Sequence, residues 1–252
     1  MFDYQAPSNC LAQRNIVVTG ANAGIGRTAA LTYAALGATV ILVGRNVQQL
    51  ESVYDKIEAH GYPMPAIYPL DLLSANAEDY DAMATTLLTE FGHLDGLLHN
   101  ASILGDRTPI SHYEPHTWQQ VMQVNVNATF MMTQALLPLL EKSADAAIIF
   151  TSSSVGYQGK AYWGAYSVSK FATEGLTQIL AAELENISHI RVNVINPGAT
   201  RTNMRAKAYP GEDPATVPAP EDIMPVYHYL MGPDSKGVTG QHFSAQGNGK
   251  PA

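Results

Sequence analysis

The chain has 252 residues, 46% hydrophobic and 14% charged, and its 14 Lys and Arg against 22 Asp and Glu leave a formal net charge of −8. These values describe a folded globule with room for a full core, and the acidic balance argues against broad, sequence-independent binding of nucleic acid or of an anionic membrane. The single cysteine, Cys10, excludes an internal disulfide framework and any cysteine-rich metal cluster.

The opening run MFDYQAPSNC has no basic n-region and no apolar stretch. No segment approaches the roughly 18 apolar residues of a membrane span, so a cytoplasmic location is expected. Residues 16–19 then form a short apolar run ending in glycine, and residues 24–36 carry a helical pattern that stops at Gly37. Residues 39–43 (TVILV) are wholly apolar, as in a strand buried on both faces of a parallel sheet. A helix over 47–60, a strand over 66–70, a helix over 77–91 and a strand over 96–99 follow. One long helix near 118–141 leads to a strand at 146–151, then a helix at 165–184 and a strand at 189–195. A short helix at 223–231 and a last strand at 242–244 complete the series. This alternation predicts a single-domain α/β Rossmann fold over 1–252, a doubly wound parallel sheet of about seven strands with helices on both faces.

Residues 202–222 interrupt the rhythm, with Pro210, Pro214, Pro218 and Pro220 and neither a helical nor a strand period. Length alone fits a surface loop as well as a lid; the position directly after a buried strand favours a substrate lid.

The first strand runs into Thr19-Gly20-Ala21-Asn22-Ala23-Gly24-Ile25-Gly26, with a helix starting inside that run. Gly20 permits a tight turn, while Gly24 and Gly26 allow backbone to approach a pyrophosphate and the helix to pack on the strand. The helix N-terminus then offers N–H groups to the anion. The spacing is G-x-x-x-G-x-G, and its place after the first buried strand makes it a dinucleotide cradle, with Asn22 and Ile25 inside the turn. The second strand ends Val43-Gly44-Arg45-Asn46. A carboxylate there would favour NAD by binding the ribose diol; a guanidinium matches a 2′-phosphate, so NADP(H) is expected over NAD(H).

Tyr166 and Lys170 stand four apart at the start of a helix and share one face. An ammonium beside a phenol favours the phenolate, so the pair is expected to lower the tyrosine pKa from about 10 toward working pH. Such a tyrosine serves as general acid toward a carbonyl oxygen or as base toward an alcohol. Ser153, just past a buried strand, can hold the same oxygen.

Together, the 19–26 run, Asn125, Ser153 and Tyr166-Ser-Val-Ser-Lys170 resemble the short-chain dehydrogenase/reductase family, in order from residue 16 to 247. The runs 150–156, 164–175 and 196–202 resemble most the bacterial YciK-type branch. The resemblance implies further roles. Asn125 is similar to the helix asparagine that holds a water in the proton relay behind the lysine. Asp71 and Leu72 resemble the pair that contacts the adenine, and Asn100-Ala101 the turn beside the cofactor. Pro197, Gly198, Thr200 and Thr202 lie in the segment that grips the nicotinamide, and Lys170 in turn binds the nicotinamide ribose. It also implies a homodimer or homotetramer, consistent with a 118–141 helix that is apolar on more than one face. Three positions depart from the common pattern: His99 in place of asparagine, Ser102 in place of glycine, and Gln246 in place of aspartate.

Weaker features remain. His112 and His116 have metal-ligand spacing, but Pro115 interrupts a helix between them and no third ligand is evident, so no metal site is expected. Tyr157, Tyr162, Trp163 and Tyr209 can line an apolar substrate pocket or simply pack. The expected reaction is reversible carbonyl reduction of a small molecule with NADPH. The rival is an NADP(H)-binding sensor or scaffold with little turnover.

Overall fold

The apolar runs become strands because each can bury both of its faces. In the computed structural model, which describes residues 1–247, these are β1 (Asn15–Thr19), β2 (Thr39–Gly44), β3 (Ala66–Pro69), β4 (Gly96–His99), β5 (Ala147–Thr151), β6 (Arg191–Asn196) and β7 (His242–Ser244). Residues 248–252 of the expected domain lie outside the described residues. The strands form one parallel sheet of order β3-β2-β1-β4-β5-β6-β7, in which Val17 pairs with Ile41 on one side and with Leu97 on the other.

Strand periodicity divides the core in two. Val17, Ile41, Leu97 and Ile148 point to one face, where they meet α3 (Ala77–Phe91), α5 (Ala128–Leu140) and α6 (Gly164–Leu184). Ile16, Val18, Leu42 and Ile149 point to the other, against α1 (Gly24–Ala35), α2 (Val47–Ala59) and α8 (Met224–Met231). Fully burying each of these aliphatic side chains contributes about 1.5–3 kcal/mol, which is why the central strands tolerate almost no polar residue. Because all seven strands run parallel, every β-to-α connection leaves from the carboxyl edge of the sheet, and the crevice forms there, where strand order reverses between β1 and β4.

Two expectations need correction. The helix expected over 118–141 is two helices, α4 (Pro115–Met122) and α5, separated by a π turn at Gln123–Asn127. Pro115 occupies the first turn of α4, where its missing N–H costs nothing. The π turn carries no distinctive residue type, so helical periodicity passes through it unmarked. Residues 202–222 are also not structureless. They contain α7 (Asn203–Ala208) and 3₁₀ turns at Pro214–Thr216 and Pro220–Ile223. A six-residue helix is too short to show a period; Thr202 Oγ1 caps it by accepting from the Arg205 N–H at 3.2 Å.

Candidate active site

The turn after β1 is built from backbone. Gly20 has φ +66°, and a side chain there would press on the Ala101 backbone at 3.1 Å. A Cβ at Gly26 would overlap the Gly20 carbonyl and lie 2.6 Å from Asn100 Nδ2, so α1 can seat against the strand only with glycine at that position. Thr19 Oγ1 ties the ends of β1 and β4 together: it accepts from the N–H groups of Asn100 (2.9 Å) and Ala101 (3.0 Å). α1 has no side-chain cap at Ala23 and no acidic residue in its first turn. Its leading N–H groups therefore face the cleft without an internal anion to satisfy them, which fits a pyrophosphate.

The cleft has a volume of about 470 Å³ and is lined by every residue expected to act in catalysis or to hold the cofactor except Gly26 and Asn125; of the four aromatic residues offered for a substrate pocket, Trp163 lines it and Tyr157, Tyr162 and Tyr209 do not. The cradle residues Gly20, Asn22, Gly24 and Ile25 share it with Arg45, Asp71, Leu72, Asn100 and Ala101. Ser153, Tyr166, Lys170, Pro197, Gly198, Thr200 and Thr202 complete that set. Asn22 Nδ2 donates to Gln49 Oε1 at 2.7 Å, bracing the cradle on α2, and Arg45 is exposed at the end of β2. Gly26 acts from beneath the cradle. Asn125 is a brace: its Oδ1 accepts from the Ile103 N–H (2.8 Å), while Nδ2 donates to the Ile103 carbonyl (3.0 Å) and to Ser169 Oγ (3.0 Å). The π turn thus pins the chain leaving β4 to α6, and the Asn125 side chain has its hydrogen-bonding groups occupied by protein atoms rather than turned toward Lys170.

Tyr166 and Lys170 are both buried on the first turns of α6. Lys170 Nζ donates to the Thr151 carbonyl at 2.7 Å and stands 5.5 Å from the Tyr166 ring centroid. Burial pushes the Lys170 ammonium down to about 8, with the Glu174 carboxylate opposing. Burial pushes the Tyr166 phenol up to about 12, against the pull of the neighbouring Ser153 hydroxyl. This is opposite to the lowering expected from the i,i+4 pairing alone. Desolvation penalises the phenolate more than anything nearby favours it, and the lysine is turned to a backbone carbonyl instead.

The three departures from the family pattern have distinct surroundings. His99 is buried, stacked on Phe150 with centroids 5.0 Å apart, and hydrogen-bonded through Nε2 to Thr133 Oγ1 at 2.9 Å. Burial pushes it down to about 3, so it is neutral. Gln246 Nε2 donates to the carbonyls of Pro197 (3.0 Å) and Ala199 (2.6 Å), closing the turn that lines the cleft as an aspartate could not. Ser102 joins the lining.

Beyond Tyr166 the sequence offered Trp163 and Tyr209 as pocket candidates but not Leu104, Arg107, Met204 or Arg205, which gather around them. Trp163 packs on Tyr166 (5.8 Å between centroids) and on Tyr209 (5.9 Å), and Leu104 and Met204 close around them. Arg107 lies over both the Trp163 ring (4.6 Å) and the Tyr209 ring (5.0 Å) and donates to the Ala208 carbonyl. Arg205 stacks on Tyr209 at 3.8 Å and is forked onto Glu212 at 2.6 and 2.5 Å. No local signal marks Arg107, whose partners are supplied by segments some 50 to 100 residues away along the chain. Among the described residues no group of three His, Cys, Asp or Glu is placed to hold a metal; His112 faces Ser111, and His116 faces Gln120.

Known proteins share this sequence pattern and fold. A family model described as short chain dehydrogenase matches residues 14–213. The oxidoreductase YciK of Escherichia coli (strain K12) is 54% identical over 248 residues, covering 98% of each chain. A short chain dehydrogenase from Pseudomonas syringae superposes with a TM-score of 0.95 at 59% identity, over 98% of this chain and 100% of the other. One from Escherichia coli CFT073, solved in complex with NADPH, gives 0.93 at 55% identity, over 96% and 100%. With a backbone cradle, a seven-stranded parallel sheet and relatives matching along almost the whole length, the chain belongs to the short-chain dehydrogenase/reductase family and is an oxidoreductase of the YciK-like kind.

Proposed function

We propose that the protein catalyses reversible carbonyl reduction and alcohol oxidation with NADP(H), acting on a CH–OH or C=O group of a small molecule in the cytoplasm. The observation that carries this reading is the convergence of Ser153, buried Tyr166 and buried Lys170 on the same cleft that receives the unsatisfied N-terminus of α1. A cofactor at this place supplies or accepts the hydride. The cradle at Gly20, Asn22, Gly24 and Ile25 holds its pyrophosphate and Arg45 its 2′-phosphate. Asp71, Leu72, Asn100 and Ala101 flank the adenosine half, and Pro197, Gly198, Thr200 and Thr202 the nicotinamide half. The NADPH bound to the Escherichia coli CFT073 relative supports this cofactor.

At the reacting carbonyl, Ser153 orients the oxygen and Tyr166 delivers the proton. A phenol held near pKa 12 is fully protonated at neutral pH and therefore poised as an acid for the reductive direction. Lys170, charged below about pH 8, lowers the cost of the phenolate left behind and binds the nicotinamide ribose. Asn125 holds the β4 exit and α6 in register, and through that brace supports the relay behind Lys170. Residues 202–222 act as the lid. The exposed stripe of Val168, Phe171 and Ile179 on α6, with Phe130 on α5, supports assembly into a homodimer or homotetramer.

Tyr166→Phe tests the assignment. NADPH oxidation against a panel of ketones and aldehydes falls by about 10²–10⁴-fold, the usual worth of a general acid, while NADPH affinity is retained. Undiminished turnover in the variant refutes the role of Tyr166. Tight NADPH binding by the wild type with no turnover of any panel member supports the sensor instead.

A further inference from the structure

The wall beyond Tyr166 is unusually cationic for so acidic a protein. Arg107, Lys160 and Arg205 all gather on the ring of Tyr209, at 5.0, 5.8 and 3.8 Å from its centroid. Tyr209 packs on Trp163, and Trp163 on Tyr166, so the cluster borders the reaction end of the cleft, with Arg205 in its lining and the exposed Arg107 and Lys160 at its rim, far from β2, where Arg45 stands. One carboxylate answers these three cations. Glu212 is forked onto Arg205, and among the described residues no Asp or Glu lies within ion-pair distance of Arg107 or Lys160, the neighbouring Asp106 included. A guanidinium stacked on aromatic faces is weakly hydrated and keeps free donors at its edge. Trp163 joins the cluster to the cleft: it lines the cleft, Arg107 lies over its ring at 4.6 Å, and Arg107 donates to the carbonyl of Ala208, which lines the cleft as well.

We infer that the substrate is an acidic carbonyl compound, its carbonyl at Tyr166 and a carboxylate at the far end of an apolar spacer, received by Arg107 with Lys160 beside it. This rests on the reductase reading above and narrows its substrate class. The spacer is accommodated by Leu104, Met204 and the Trp163 ring, which present apolar surface to the cleft. Positive potential at a low-dielectric mouth also raises the encounter rate of an anion in a way that salt suppresses.

The experiment uses a series of aryl and alkyl keto acids of increasing length, each paired with its neutral methyl ester. Binding to the NADP⁺-loaded full-length protein is read by calorimetry, and turnover by NADPH oxidation. At least one acid is expected to bind tenfold or more tighter than its ester, with the margin shrinking as salt rises from 20 to 500 mM. Arg107→Gln brings that acid down to its ester, while Arg107→Lys, which keeps the charge, retains most of the preference. The inference is overturned if no acid in the series outbinds its ester. It is equally overturned if Arg107→Gln weakens acid and ester alike, which assigns Arg107 to packing of residues 202–222. An acid that binds with the expected preference but is never reduced leaves the anion site standing and sinks the reductase reading, so the two failures are distinct.

Discussion

At the β1 and β2 end of the cleft the walls are main chain: Gly20 in the turn, Gly26 beneath it and the uncapped start of α1, all drawn from one stretch of eight residues. At the Tyr166 end the walls are side chains from widely separated segments: Leu104, Trp163 and Met204 line the cleft, with Arg107 and Tyr209 packed behind them, and they meet only because the chain folds back on itself. On the proposed reading the first end would recognise a group common to many ligands, a pyrophosphate, through geometry that backbone supplies by itself. The second would recognise whatever distinguishes one substrate from another, through contacts that backbone cannot supply. A cofactor site would then be compact in sequence and a substrate site dispersed.

Three measurements would break or sharpen this contrast. The largest effect is expected from Gly26→Val. Its branched side chain collides with the Gly20 carbonyl and with Asn100, so NADP⁺ affinity falls by more than about 100-fold, with overpacking that costs about 1–3 kcal/mol of stability. Titration calorimetry and thermal unfolding read both. Retained affinity would mean that the cradle is not backbone-determined. Arg45→Ala is expected to weaken NADPH by about 10- to 100-fold, the worth of one charge-assisted pair, and to leave NADH unchanged. Equal losses for both cofactors would remove the 2′-phosphate from the account of Arg45.

The smallest effect comes from pH and probes the reaction end. Lys170 is charged below its pKa of about 8 and neutral above it. If the charge assists Tyr166, kcat/KM for carbonyl reduction is flat below about pH 7.5 and falls about tenfold by pH 9. Over the same range Tyr166, near 12, stays protonated and adds no break of its own. A profile flat through pH 9 would separate the lysine charge from proton transfer.

Legibility followed the same division. The strands were readable because a run such as TVILV can be stable only with both faces buried, and β2 spans Thr39–Gly44 as that run suggests. The shared placement of Tyr166 and Lys170 was readable because one helix turn brings them to the same face, and both line the cleft. What the pairing could not convey was the direction of their titration. Spacing reports neighbours, whereas burial depends on everything packed around them, and burial outweighed the lysine. The π turn that separates α4 from α5 was invisible for a related reason. Gln123–Asn127 is compatible with an ordinary helix, and its wider turn coincides with Asn125 gripping the Ile103 backbone, a contact made across the fold. α7 was missed because six residues cannot display a period and depend on Thr202 and the Arg205–Glu212 fork for support.

Composition and charge began as a bound on partners. A chain of net charge −8 was a poor candidate for holding polyanions, and sequence alone went on to determine the parallel sheet, the glycine turn between β1 and α1, and the placement of Tyr166 and Lys170 on one helix face. These are encoded in short stretches by steric freedom, periodicity and helix geometry. Tertiary structure alone decided that the Tyr166 phenol is buried and its pKa raised, that the Asn125 side chain braces Ile103 against Ser169, and that Arg107, Lys160 and Arg205 surround one aromatic ring. Potential, desolvation and long-range contact are properties of the packed molecule, and no local run of residues carries them.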